Sequence, residues 1–263
     1  GNHLSEYGKG GGTVMIYLQV ELKKLKRRHT AAAFLLTLAF LAAYTFWCLT
    51  DVNPGRLNDV TAMVEINLLI INTVFSPVLM AFLASRLADM ELAGNTLKWL
   101  CILQPPASIY WGKAAVGLMA AWLFAGVQSV LFFAACAPFP GLNPGCFLQL
   151  FVTLAAVCSA LFALQLNLSL RSSSQLAPLF LAIGAAFAGL FSWFLPVFPL
   201  RYLIPWGYFS VLCNLSMTYT ESTRYTLYEW KNYPLFWLGV ILLFSVITFR
   251  RGCRRFQASA GQI

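Results

Sequence analysis

The fold is decided by one stretch of the sequence, residues 114–170, which reads AAVGLMAAWLFAGVQSVLFFAACAPFPGLNPGCFLQLFVTLAAVCSALFALQLNLSL and contains no charged side chain over 57 residues. About 20 apolar residues are enough for a helix to cross the hydrocarbon core of a bilayer, so this stretch is too long for one crossing. Turn-forming residues interrupt it at 138–141 and again at 143–145. The stretch therefore predicts two membrane-spanning helices.

Further charge-free runs lie on both sides of this stretch, at residues 30–50, 66–85, 172–200 and 232–249. In lipid, every backbone polar group must be paired within the chain, which favours helices. None of the runs alternates in the way that a strand of a membrane β-barrel does. The sequence therefore predicts an all-α integral membrane protein with six transmembrane helices, at about 31–50, 64–85, 113–136, 147–169, 175–195 and 233–250.

The composition excludes the common soluble classes of protein. Of the 263 residues, 59% are hydrophobic and only 10% are charged, and the mean hydropathy is +0.71. An ordinary soluble domain carries about 25% charged residues. The chain has too little polar surface for a soluble enzyme, a secreted disulfide scaffold or a disordered regulator.

The lysine and arginine residues indicate how the chain is oriented. The two ends and the connections on their side carry 13 of them, whereas the opposite connections carry 4, namely Arg56, Arg201, Arg224 and Lys231. The positive-inside rule then places both termini in the cytoplasm. The net charge of +9 is explained by topology and by contact with anionic headgroups, so no nucleic-acid partner is expected.

Two segments precede the first predicted span. Residues 1–14 contain a glycine run, and we expect them to be a non-native leader, with Met15 as the natural start of a single transmembrane domain over 15–263. Residues 15–28 place apolar side chains on one helical face among many basic ones. This pattern predicts an amphipathic helix lying in the membrane interface, although a basic flank of the first span fits it as well.

The connection between the second and third predicted spans carries a helical pattern of its own. Leucines recur at helical spacing over 97–103, Asn95 or Thr96 is suited to cap such a helix, and Pro105 ends it. An exposed helix that carries Trp99 is well shaped to dock in a groove of a cytoplasmic partner. A helix that rests on the membrane surface is the alternative.

This connection resembles that of ABC-2 type permeases. The residues that carry the resemblance are Glu91, Gly94, Thr96, Lys98, Leu100, Leu103 and Pro105, followed by Lys113. In that family the connection contains a coupling helix that fits into a cytoplasmic ATPase subunit, and Trp99 lies in the same segment here. The resemblance therefore implies a coupling helix within 91–105, with two copies of an ATPase and a second permease chain, identical or different, as partners.

The region between the fifth and sixth predicted spans resembles a narrower group. Residues 202–208, YLIPWGY, are similar to the lantibiotic-immunity permeases, which protect bacteria from antimicrobial peptides. This implies a permease of the bacterial plasma membrane that expels an amphiphilic peptide. An ABC-2 permease for a drug, lipid or ion, and a secondary transporter or membrane scaffold outside the ABC group, are the alternatives.

Motifs of enzyme chemistry are absent from the sequence. It contains no phosphate-binding GxxxxGK[ST] loop, no HExxH motif and no GxSxG motif. We therefore expect a non-catalytic subunit with no metal or cofactor of its own, and we expect ATP and Mg²⁺ to bind to the partner ATPase.

Candidate residues for substrate contact lie in the second span and in the last connection. Glu65 falls inside the second span, where a charge is costly and is usually functional, unless the residue lies at the level of the headgroups. It would contact a cationic substrate or a partner subunit. In the last connection, four aromatic residues would cap a lateral opening for a peptide or, alternatively, form an aromatic belt that anchors the fold. They are Tyr202, Trp206, Tyr208 and Phe209.

Overall fold

The structure, a computed structural model, describes residues 30–50, 52–53, 55–92, 104–140, 142–172, 174, 176–195 and 199–260. The leader predicted at 1–14 and the interfacial helix predicted at 15–28 lie outside the described residues. So does most of the predicted coupling helix, from Gly94 to Leu103.

Six long helices make up most of the described chain. Five come first: α1 (Thr30–Thr50), α2 (Val60–Leu92), α3 (Pro106–Cys136), α4 (Pro144–Ser169) and α5 (Leu176–Phe194). The last connection then forms two short helices, α6 (Leu200–Leu203) and α7 (Tyr208–Val211), and two strands, β1 (Leu215–Thr220) and β2 (Tyr225–Trp230). The sixth long helix is α8 (Leu235–Ala260).

The six long helices are long and apolar enough to cross a membrane. The predicted all-α, six-helix membrane fold is thus confirmed, and the two strands are an addition that the sequence did not predict. Some predicted bounds were wrong. The third helix begins at Pro106 and not at 113, because proline is well suited to the first position of a helix. The last helix continues past 250 to Ala260, since the intervening arginines are good helix formers.

Helices α2 and α4 form the centre of the bundle. Their apolar windows are the most buried of the six, and α4 packs against α2, α3 and α8. Side-chain hydrogen bonds join the helices inside the bundle. Asn72 Nδ2 of α2 donates to Gln128 Oε1 of α3 at 2.8 Å, and Trp193 Nε1 of α5 donates to Thr73 Oγ1 of α2 at 2.9 Å. In lipid these bonds satisfy polar groups that have no water to bind.

A second set of hydrogen bonds joins three helices at one end of the bundle. The Tyr110 hydroxyl of α3 donates to Asn167 Oδ1 of α4 at 2.9 Å, and Asn167 Nδ2 donates to the carbonyl of Thr248 in α8 at 3.0 Å. Gly252 lies against this set, so closely that a Cβ atom there would overlap the Asn167 amide. We call this the arginine end, because Arg171 and the arginines of α8 lie here, and we call the opposite end, where β1 and β2 lie, the hairpin end.

Gly117 of α3 lies directly against the ring of Phe162 of α4, and a Cβ atom added at Gly117 would overlap the ring carbons. We expect Gly117→Ala to lower the Tm of the detergent-purified protein by about 5 °C, because overpacking a tight interface costs about 2 kcal/mol. Gly112→Ala on the same helix is the control, since nothing lies within 4 Å of its Cβ position. Equal Tm values for the two variants would show that the α3–α4 contact is not this close.

Candidate functional site

The hairpin end is built around the antiparallel pair β1–β2. Leu215 pairs with Trp230 at one end of the register and Thr220 pairs with Tyr225 at the other. Both strands are rich in threonine, tyrosine and other residues that favour strands, which was the signal available in the sequence. A two-stranded hairpin is marginally stable alone, so its stability has to come from what it packs on.

The chain just before α2 holds the hairpin along its edge. Asn58 Nδ2 donates to the carbonyl of Tyr228 at 2.7 Å, and Asn58 Oδ1 accepts from the N–H of Tyr228 at 2.7 Å. The N–H of Thr226 donates to the carbonyl of Arg56 at 2.8 Å, and Leu57 forms a parallel bridge with Thr226. Residues 56–58 therefore pair with β2 through an isolated bridge and the Asn58 side chain, and they fix β2 to the start of α2.

Asp59 links the start of α2 to the hairpin. One carboxylate oxygen, Oδ1, accepts from the N–H of Ala62 at 3.0 Å and so caps the helix, and the other, Oδ2, accepts from Trp230 Nε1 at 2.8 Å. An aspartate at this position is favoured both by the free N–H groups and by the helix dipole. Sequence reasoning missed Asp59, because its second partner lies far along the chain.

Glu65 lies one turn inside α2 and is 2% exposed. Ala62, which precedes it by three residues on the same helical face, packs with Ile66 against Leu215 and Tyr228 of the hairpin. The Glu65 Oε2 atom has no hydrogen-bond partner among the described residues. A buried carboxylate oxygen in this state is costly and marks a site where a cation or a donor is expected.

Two groups outside the spans sense the Glu65 carboxylate. Burial raises the pKa of the Cys213 thiol to about 12, and the negative charge of Glu65 acts in the same direction. Burial also raises the pKa of the Tyr233 hydroxyl, against the opposing effect of its hydrogen bond to Thr153, and Glu65 again adds to the rise. Cys213 and Tyr233, at the base of the hairpin, therefore lie near enough to Glu65 to interact with it electrostatically.

The base of the hairpin is also tied to α4. Asn214 Nδ2 donates to Gln149 Oε1 at 3.0 Å, and the N–H of Lys231 donates to the carbonyl of Asn214 at 2.7 Å. The hydroxyls of Tyr233 and Thr153 lie 2.7 Å apart. The hairpin thus bridges α2 and α4, the two central helices, and covers the region in which Glu65 is buried.

Two of the four aromatic residues of the last connection are buried, and the other two, Tyr202 and Trp206, are partly exposed and pack against the core. Phe209 is 0% exposed and Tyr208 is 5% exposed, and both belong to the main apolar core. The ring of Tyr202 lies 4.6 Å from that of Trp237 in α8. The Trp206 carbonyl lies 2.7 Å from the Cβ position of Gly189, so only glycine lets α5 approach it this closely, and Trp206 Nε1 is buried with no hydrogen-bond partner among the described residues.

The structure places the borders of the predicted coupling helix at the arginine end. Glu91 lies in the last turn of α2, and Pro105 is the N-cap residue of α3 with φ −59° and ψ 131°. These two residues therefore flank the connection. Gly94, Thr96, Lys98, Trp99, Leu100 and Leu103 lie outside the described residues.

Lys113 joins the two helices that flank this connection. It is 0% exposed, and its Nζ atom donates to the carbonyl of Leu87 in α2 at 2.7 Å. The Lys113 side chain thereby connects α3 to the last turns of α2. In the described part of the chain, no group of three or more His, Cys, Asp or Glu side chains is placed to hold a metal ion.

The bundle of six apolar helices identifies a multi-pass membrane protein. Hydrogen bonds between polar side chains lie in its interior, as does Glu65, whose Oε2 atom has no hydrogen-bond partner among the described residues. Residues 17–189 match the family described as ABC-2 family transporter protein. The chain therefore belongs to the ABC-2 transporter family, whose members form the transmembrane permease part of ABC transporters. No curated protein matches the sequence closely enough to count as a relative.

Proposed function

We propose that this chain is the permease subunit of a bacterial ABC exporter that expels an amphiphilic cationic peptide and so protects the cell. A separate ATPase, in two copies, binds at the connection between α2 and α3, and a second permease chain completes the pathway. The observation that carries the proposal is the family match over 17–189, which includes this connection. This match favours an ABC permease over a secondary transporter or a membrane scaffold.

The arrangement at the arginine end supports coupling through the connection. A force applied to residues 93–103 reaches α2 and α3 together, because Lys113 joins their ends and the Tyr110–Asn167–Thr248 bonds extend the contact to α4 and α8. Four helices then move as one unit. This is what a permease needs if motion of an ATPase is to reach the far side of the membrane.

The hairpin end supports an amphiphilic cationic cargo. Glu65 offers a buried carboxylate with an oxygen that no described residue binds, and it lies beneath a cover that can separate from α2 only by breaking the Asn58 and Asp59 bonds. Tyr202 and Trp206, which are partly exposed, provide apolar surface at the same end of the bundle. A drug, lipid or ion remains the alternative cargo. Such a cargo would make less use of the Glu65 carboxylate and of the aromatic surface.

The positions of the arginines support the proposed location. Arg171 and the arginines of α8 lie at one end of the bundle, and the positive-inside rule assigns that end to the cytoplasm of a bacterial cell. With six crossings, both termini then face the cytoplasm, where the ATPase is found.

The proposal is tested by affinity purification of the tagged chain from its native host in mild detergent, followed by mass spectrometry. We expect an ATPase and a second permease chain, or a second copy of this one, at stoichiometric yield. Recovery of the chain alone at high yield, even after cross-linking, would overturn the proposed assembly.

Lys113→Met separates transmission of motion from binding of the ATPase. Methionine fills a similar volume but cannot donate to the carbonyl of Leu87, so we expect the Tm to fall by about 3 °C, because a buried group loses its hydrogen bond. We expect ATP-driven expulsion to fall by up to about 30-fold with the ATPase still bound, because a residue that couples two elements contributes about 0.5–2 kcal/mol. Arg86→Gln, which removes a half-buried charge from α2, is the control. Unchanged expulsion in Lys113→Met would contradict the coupling role.

A further inference from the structure

A cavity of about 680 Å³ opens between the end of α4 and the last turns of α8 at the arginine end. Its α8 wall is one continuous helical face, on which Phe244, Thr248, Arg251 and Arg255 follow each other at spacings of three or four residues. This part of α8 lies outside the family match, which ends at residue 189.

The lining of the cavity changes from apolar to basic along its length. Leu164, Leu168 and Phe244 line the part that lies deeper in the spans, whereas Arg171, Arg251 and Arg255 line the part at the helix ends. At 1.5 Å per residue, Phe244 and Arg255 are about 16 Å apart along α8. That is about half the thickness of the hydrocarbon core, which is the depth of one leaflet.

The cavity is positively charged, and no acidic side chain in its lining balances that charge. The lining contains three arginines and no aspartate or glutamate, and all three arginines are exposed. Guanidinium groups bind phosphate oxygens through paired N–H donors, and they do so better than a lysine would.

The floor of the cavity is fixed in position. Asn167 lines it and is held by Tyr110 and by the Thr248 carbonyl. Gly252 brings α8 against this group, and any larger side chain would push the two walls apart. The cavity is therefore a built feature of the α4–α8 contact and not a gap between loosely packed helices.

We propose that this cavity holds one anionic phospholipid, with its phosphate bound by Arg171, Arg251 and Arg255 and its acyl chains along Leu164, Leu168 and Phe244. Basic pockets between membrane helices bind anionic headgroups in this way. A soluble phosphate would use the arginines but would leave the apolar wall unused. The proposal is independent of the ATPase and of the cargo.

The test measures thermal unfolding of the delipidated full-length protein in detergent, with phosphatidylglycerol or phosphatidylcholine added to the micelles. We expect phosphatidylglycerol, and not phosphatidylcholine, to raise the Tm by about 5 °C at saturation. Arg251→Gln/Arg255→Gln is expected to weaken phosphatidylglycerol binding by about 25-fold, because each arginine near a membrane surface contributes about fivefold.

The matched control is Arg250→Gln/Arg254→Gln, which removes the same charge from the same turns of α8 at positions that do not line the cavity. We expect it to keep the affinity of the wild type. Equal weakening by the two pairs would show a general surface effect and would overturn the proposal, as would a wild-type Tm that does not respond to phosphatidylglycerol.

A third arm distinguishes the lipid from a free anion. Inorganic phosphate and glycerol phosphate are added in place of the lipid, and we expect neither to raise the Tm. A rise equal to that with phosphatidylglycerol would assign the cavity to a soluble phosphate instead. Arg171→Gln on the α4 side is a second variant should the α8 pair fail to fold, and native mass spectrometry counts the retained lipid in each case, with one expected in the wild type.

Discussion

Leu100→Asp/Leu103→Asp is expected to abolish recovery of the ATPase with the purified permease while the permease itself remains in the membrane. The two leucines lie on one face of the predicted coupling helix, where they would fill an apolar groove of the ATPase. Burying two carboxylates there without partners costs several kcal/mol each. That cost exceeds the binding free energy that the contact between the helix and the ATPase can lose without dissociating. The measurement is the amount of ATPase that co-purifies per permease, together with peptide resistance of the cells.

The control for this variant adds the same charge at the other end of the molecule. Met217 and Leu227 are apolar side chains of the hairpin, 56% and 39% exposed, so Met217→Asp/Leu227→Asp buries no carboxylate. We expect it to retain the ATPase. If the Leu100→Asp/Leu103→Asp variant also retained the ATPase in full, the contact would lie elsewhere, and the connection would be better described as a helix resting on the membrane.

The positions of the spans could be predicted because hydrophobic length is a local property. A charge-free run can be recognised without knowledge of its neighbours, and the six predicted spans correspond to α1–α5 and α8. The ends of the helices were less predictable. The sequence predicts that the third span begins at Lys113, yet Pro106 starts α3 and places Lys113 two turns inside the helix, where it is buried. The proline pair was the signal that would have moved the start of this helix.

The hairpin end could not be predicted, because it depends on contacts between distant residues. The two Asn58–Tyr228 bonds join residues that are 170 positions apart. A hairpin rich in tyrosine and threonine is also easily mistaken for an interfacial aromatic belt, since both place the same residue types near a membrane surface. The close approach of the Trp206 backbone to α5 likewise depends on Gly189, and no pattern within 202–208 indicates that contact.

Glu65→Gln is expected to lower resistance to a cationic peptide by at least about tenfold, because removing one charge from a buried ion pair costs about 2 kcal/mol or more. The same substitution is expected to leave the Tm of the purified protein within about 2 °C of the wild type. Glutamine has nearly the same shape as glutamate, and no described residue binds Oε2, so no hydrogen bond of that atom is lost. A loss of activity without a loss of stability is the signature of a site kept for binding and not for folding.

Glu229→Gln is the control for this prediction, since Glu229 is an exposed acid on the same hairpin and loses the same charge. We expect it to change neither resistance nor Tm. Resistance that is lost together with stability would make Glu65 a structural residue, and unchanged resistance at equal protein level would remove it from the peptide pathway. Because the hairpin packs on Ala62 and Ile66, which lie beside Glu65 on α2, we expect a peptide to displace the hairpin when it reaches Glu65. The effect of Glu65→Gln therefore also measures whether the path of the cargo passes beneath β1 and β2.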